Sequence, residues 1–180
     1  MTDTSRYPWY GVAGGNDEVE QGDIIRACPL FFPSTSNLDD PESRKEFEWE
    51  KRDVIVMTQS CDLVAGRGED GEKEVLVCVL LKPSQFPPGP LNSKDGLNTI
   101  RMGRRPAFHL LNVIEIPGFE SEVSIVSFQH IRCLPLPFIR QRAQHSLHPR
   151  LLPPYREHLS QAFARYFMRV GLPVDIPPFR

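Results

Sequence analysis

The sequence has no run of about 18 apolar residues, the minimum for a membrane-spanning helix. Its opening, Met1-Thr2-Asp3-Thr4-Ser5-Arg6, has no basic stretch followed by an apolar core. A soluble, cytoplasmic protein with no membrane partner is therefore expected. Cysteine is sparse and widely spread. Cys28, Cys61, Cys78 and Cys133 form no C-x-x-C pair, and no histidine stands at finger spacing from them. That speaks against a metal framework and predicts reduced, mostly buried thiols. His145 and His148, three apart, lack a neighbouring Cys or carboxylate ligand, so no metal is expected there either. A phosphate-cradling loop is missing too, because Gly11 to Gly15 is followed by neither Lys-Ser/Thr nor a helix pattern; an ATPase is not expected. No cofactor is called for. Glycine is scarce beside proline, 12 against 18, so much of the chain must be turns, edges and extended connectors.

What is present fits one domain over residues 1–180, with 40% hydrophobic and 24% charged residues. The net charge of −2 hides an asymmetry. Residues 1–100 carry 10 Lys+Arg against 18 Asp+Glu, and residues 101–180 carry 11 against 5. Such a division fits two arrangements, an anionic partner for the basic half or two complementary surfaces of one fold.

Residues 1–21, with Tyr7-Pro8-Trp9-Tyr10 and Gly14-Gly15, read as an irregular lead-in. A first strand runs from Gly22-Asp23-Ile24 to Pro29, and residues 33–51 read as a long acidic surface loop. Val54-Ile55-Val56-Met57 and Val75 to Leu81 are continuous apolar runs of the kind buried on both sides, predicted to pair antiparallel. Asn92-Ser93-Lys94-Asp95 could cap a short helix that Gly103 ends. Strands follow at Ala107–Val113 and Val123–Phe128, with His130–Leu134 a continuation or a last strand. Residues 135–153 read as a basic connector. Leu159, Ala162, Phe163, Tyr166, Phe167 and Val170 then recur at helical spacing over 154–170, leaving Arg156, Gln161, Arg165 and Arg169 for solvent. The fold class that results is mainly β: a small SH3-like antiparallel β-barrel over 22–134, packed against a C-terminal amphipathic α-helix.

Gly22-Asp23-Ile24 opening strand one, an apolar strand ending in small polar residues (Val54 to Ser60), the strand Val75 to Leu81 and the late segment Val126 to Cys133 before a helix together resemble the MazF/PemK-like toxin fold over about residues 21–135. The stretch Thr58-Gln59-Ser60-Cys61-Asp62-Leu63 is also similar to a T-Q-S-C-D-L signature of uncharacterised bacterial proteins. The MazF-like resemblance implies metal-independent cleavage of single-stranded RNA, with Arg52 and Ser84 at the positions of the family's active-site Arg and Ser/Thr. Arg52 stands in Glu50-Lys51-Arg52-Asp53 and not in a Gly-Arg-Pro run, and Lys82-Pro83-Ser84 departs from the family's turn.

Two groups of residues are candidates for chemistry. Thr58, Ser60, Cys61 and Asp62 place a hydroxyl, a thiol and a carboxylate at a strand end, where Cys61 would need His109 or His130 as base. The plainer account has Ser60 and Asp62 capping a turn and Cys61 filling a corner; Asp62 beside the thiol also works against a thiolate. Arg101, Arg104 and Arg105, with Phe108 and His109 following, form the second group. They could contact phosphates and stack on a base, or form a solvated basic turn facing the acidic half. The function expected is binding of RNA or DNA, with RNA cleavage open; the alternative is a protein-interaction or scaffold module, including a homodimer, and a Cys61 hydrolase ranks below both.

Overall fold

A strand with hydrophobic residues at every position needs cover on both faces. The structure, a computed structural model that describes residues 7–33, 47–64, 74–89 and 91–168, provides it. The strands are β1 (Tyr10–Ala13), β2 (Ile24–Pro33), β3 (Phe47–Val56), β4 (Glu74–Leu81), β5 (Phe108–Leu111), β6 (Ser124–Pro135) and β7 (His148–Leu151). The helices are α1 (Ser60–Leu63), α2 (Lys94–Arg101), α3 (Leu136–Gln144) and α4 (Tyr155–Phe167). Five strands form one antiparallel sheet in the order β2-β3-β4-β6-β5, and β1 pairs with β7 in a second.

Alternation along β3 and β4 sorts their side chains onto two cores. Val54, Val56, Val75, Val77 and Val79 lie on one face, against Leu136, Ile139 and Ala143 of α3. Ile55, Met57, Cys78 and Leu80 lie on the other with Phe128, Leu151 and Leu159, where Phe163 of α4 meets Phe128 edge-on at 5.3 Å. The mainly β class and the C-terminal helix are as expected. No closed barrel is found among the described residues, because no ladder joins the edge strands β2 and β5. A barrel needs cover outside only; this sheet is covered by helices on both sides.

Several boundaries move. Residues 47–51, expected in the acidic loop, belong to β3, which pairs with β2 as far as Phe47 opposite Pro33; residues 34–46 lie outside the described residues. Near this hairpin's end both faces meet water, so charge does not oppose a strand there. The lead-in contains β1. The connector 135–153 contains α3 and β7. Leu136, Ile139 and Ala143 follow helical spacing, and a proline in the first turn costs no hydrogen bond. His130–Leu134 continues β6 past a register shift opposite Cys78 and Val79. Two cysteines, Cys61 and Cys133, are exposed; Cys28 and Cys78 are buried, and burial pushes their thiols up to about 11 and about 12.

The two sheets meet at Asp23, which is fully buried. Its Oδ1 accepts from Arg150 Nε, and its Oδ2 accepts from Arg150 Nη2 at 3.0 Å and from the Glu20 amide at 3.0 Å. His148 Nε2 lies 3.3 Å from the same oxygen. Arg150 also donates to Glu20 at 2.8 Å, and Arg156, expected to face solvent, pairs with Glu20 at 3.2 Å. The backbone closes the joint through Val56 N–H to Asp23 O and Leu151 N–H to Gly22 O, both 2.9 Å. Gly22 sits at φ +93, and a Cβ there would meet Leu151 O at 3.0 Å, so the approach of β7 requires glycine.

Burial alone would raise the Asp23 carboxyl, but the His148 and Arg150 side chains and the Glu20 amide outweigh it and hold it below 3.8. The unfolded chain then takes up the proton first as pH falls. The stabilisation is present above the unfolded value and is lost as pH falls through the lower folded one. Replacing Asp23→Asn removes the buried counter-charge of Arg150, which keeps only the half-exposed Glu20. It is expected to cost about 3–5 kcal/mol at neutral pH in urea denaturation, with a shallower acid limb below pH 3.8 than the wild type shows.

Candidate functional site

Arg101 and its neighbours are placed by the way α2 ends. Ser93 caps its start, accepting from Gly96 N–H at 3.1 Å. At the other end Gly103, at φ +70, donates to Ile100 O at 2.8 Å and Arg104 N–H donates to Thr99 O at 3.1 Å. This pair of bonds around a left-handed glycine is a Schellman stop. It turns the chain through Pro106 into β5 and leaves Arg101, Met102 and Gly103 on the rim of a cleft.

The cleft has a volume of about 350 Å³. Its β side is Phe108 and His109; its opposite wall is one stripe of α4, His158, Gln161, Ala162 and Arg165, spaced three, four and seven along the helix. Among the described residues, no carboxylate lines it. Arg101 is held by Asn98 Oδ1 at 3.1 and 2.8 Å, and Arg165 by Gln161 Oε1 at 3.3 Å. Both guanidinium groups are thus positioned by neutral amides, with no acidic partner among the described residues. Desolvation, helped by the charge of His158, pushes His109 down to about 4. Its imidazole is uncharged at neutral pH and can accept a hydrogen bond or a proton.

Of the residues expected to contact nucleic acid, Arg101 and Phe108 meet in this cleft together with His109; Arg104 and Arg105 do not line it. Sequence reasoning missed His158 and took Gln161 and Arg165 for a plain solvent face. The signal available was the polar stripe of α4 lying beside its apolar one.

The Thr58 to Leu63 stretch lies elsewhere, and its polar groups hold backbone. Thr58 Oγ1 accepts from Leu76 N–H at 2.7 Å, extending the β3–β4 pairing past the end of β3. Ser60 Oγ accepts from Gln21 N–H at 3.1 Å, Gln21 Nε2 donates to Met57 O at 2.7 Å, and Arg140 donates to Leu63 O at 2.9 Å. Cys61 is exposed, and among the described residues its Sγ has Gln59 Oε1 and Asp62 Oδ1 as polar neighbours, each at 3.7 Å. Neither candidate base is beside it: His109 is in the cleft, with β4 and β6 between β5 and β3, and His130 Nδ1 is 2.8 Å from Ser127 Oγ. Arg52, on β3, is paired with Glu50 at 2.7 Å, and Ser84 Oγ donates to Glu122. The structure therefore brings Arg101, Phe108 and His109 together and leaves Arg52, Thr58, Cys61 and Asp62 apart from them.

Among the described residues, no group of three or more His, Cys, Asp or Glu is arranged to hold a metal ion, and no helix is long and apolar enough to cross a membrane. Comparison with protein-family models, with curated proteins and with solved structures gave no match.

A proton nuclear magnetic resonance titration should find the His109 ring with a midpoint near 4 instead of 6.5. Because the unfolded chain protonates its histidine first, stability attributable to this group falls as pH drops from 6.5 towards 4. His109→Gln should make that part of the stability curve shallower.

Proposed function

We propose that this chain binds single-stranded nucleic acid, RNA foremost, in the cleft between the α2–β5 turn and α4. One observation carries the proposal: among the described residues, Arg101 and Arg165 flank a cleft without a carboxylate, each fixed by a neutral amide and by no acid. Other arginines of the basic half behave differently. Arg140, Arg150 and Arg156 pair with Glu18, Glu20, Asp23 and Glu157, as complementary surfaces of one fold would. The charge asymmetry therefore divides in two, and the cleft holds part of the unneutralised share. All 11 cations of residues 101–180 are arginines, the side chain suited to phosphate recognition and stacking.

In this reading the guanidinium groups meet two phosphates of a strand, while Phe108 and Met102 offer apolar surface to a base and Gln161 can bond to its edge. The MazF/PemK-like resemblance of residues 21–135 rests on the sequence pattern, and single-stranded RNA is the substrate class that it implies. Arg52 and Ser84 take no part in binding it, since each has an acidic partner in Glu50 or Glu122. Four free cysteines suit a reducing, cytoplasmic setting.

For RNA cleavage the cleft offers two imidazoles, His109 and His158. The 2′-oxygen attacks phosphorus while its proton passes to one ring. The bond from phosphorus to the 5′-oxygen breaks, and that oxygen takes a proton from the other ring. His109, uncharged at neutral pH, is the acceptor in this scheme.

Fluorescence anisotropy with a short single-stranded RNA should show salt-sensitive binding. The double variant Arg101→Gln/Arg165→Gln should weaken it at least about tenfold and reduce the salt slope by about 1.4, at roughly 0.7 for each phosphate no longer neutralised. Binding indifferent to salt, or unchanged in the double variant, would refute the proposal. Chromatography of the same RNA after incubation decides cleavage: a 2′,3′-cyclic phosphate end lost in His109→Gln supports it, and intact RNA removes it.

A further inference from the structure

β2 is interrupted between Ile25 and Cys28, where Arg26 and Ala27 lie outside the register with β3. Ala27 sits at φ +46, a left-handed conformation rare for a residue with a side chain. Its amide donates to Asp53 Oδ1 at 2.9 Å, and its carbonyl accepts from Arg142 Nη2 at 3.4 Å. A bulge re-aims the side chains beside it. Here it places Arg26 at the wall of a recess of about 180 Å³, opposite Arg142 of α3, with Ile25, Phe119, Leu147 and His148 among the lining.

Among the described residues, the recess contains two guanidinium groups and no carboxylate, and neither arginine makes an ion pair. Arg26 donates to Phe119 O and lies over the Phe119 ring at 5.5 Å, which orients it without neutralising it. Arg142 has its long bond to Ala27 O, and its Nε is buried without an acceptor among the described residues. His148, only 5% exposed, has Nδ1 3.4 Å from Ser146 O and Nε2 3.3 Å from Asp23 Oδ2, so its ring is held in place at the back of the recess. A buried N–H without an acceptor is costly, and a charged one more so. An acceptor entering from solvent would relieve that cost.

We propose that this recess binds a compact oxyanion, a phosphate or a carboxylate, held between Arg26 and Arg142 with any apolar portion resting on Phe119 and Leu147. At about 180 Å³ it is smaller than the roughly 300–1,000 Å³ of sites for drug-sized ligands, so the ligand is a small anion or the anionic end of a larger molecule. Two arginines lining one recess supply the charge-assisted donors that such a group needs. The recess shares no lining residue with the His109 cleft, so the proposal stands independently of RNA binding.

Amide chemical-shift mapping on the full chain tests it, with inorganic phosphate in one arm and benzoate in the other, each at millimolar concentration. Saturable shifts at Arg26, Ala27, Leu147 and His148 with phosphate assign a phosphate end, and with benzoate a carboxylate on a flat apolar body. Arg142→Gln should weaken the effective ligand at least tenfold. Leu147 is 58% exposed, so Leu147→Trp can fill the recess without disturbing the core, and should block binding even if Arg142→Gln fails to fold. No saturable shift with either anion, shifts confined to other regions, or binding unaffected in Leu147→Trp would overturn the proposal.

Discussion

A carboxylate removed from water is tolerated only where charge and hydrogen bonds replace the water, and at Asp23 they come from two separate parts of the chain while its backbone ties in a third. Arg150 and His148 approach from β7, the Glu20 amide from the segment before β2, and the Asp23 carbonyl ties to β3 through Val56 N–H. The joint thereby fixes where the two-stranded sheet stands against the five-stranded one. Leu151 of β7 and Leu159 of α4 then fall into the same core as Ile55 and Phe128. The position of α4, and with it the wall of the His109 cleft, follows from that alignment. A buried ion pair is weak evidence for stability in itself; its use here is to set a register that hydrophobic contact alone would leave loose.

Sheet faces explain the rest of the architecture. Because α3 and α4 cover opposite faces, the stretches Val54–Val56 of β3 and Val75–Leu80 of β4 have no solvent side, and their apolar runs need no alternation. That feature could be read directly from Val54–Met57 and Val75–Leu81, as could the cap at Ser93, the stop at Gly103 and the aromatic stripe of α4. What the pattern does not contain is which residues cover the second face. Leu136, Ile139 and Ala143 carry helical spacing, but they lie among prolines and arginines that resemble a loop, and the tertiary contact decides the outcome. Nor does alternation say whether a sheet closes on itself.

The candidate site was legible in the same uneven way. Arg101, Phe108 and His109 are close in sequence, and a turn of known geometry keeps them together. His158 and Arg165 stand much further along the chain, and nothing local links them to β5. Thr58 to Asp62 failed for the opposite reason. It is conspicuous as a string, yet its hydroxyls are occupied with Leu76 and Gln21 backbone, and Cys61 stands without a base. A concentration of reactive residue types marks a site only when their lone pairs and protons are free of structural duty.

Unneutralised arginines, and not positive charge in general, are what mark the surface proposed to meet a strand of RNA. Photocrosslinking of a short RNA containing 4-thiouridine, followed by peptide mapping, reads that surface directly. Crosslinks are expected at Met102, Phe108 or His158 on the two walls of the cleft. Crosslinks confined to the exposed aromatic pair Phe31 and Trp49 of the β2–β3 hairpin, with none in the cleft, would contradict that assignment.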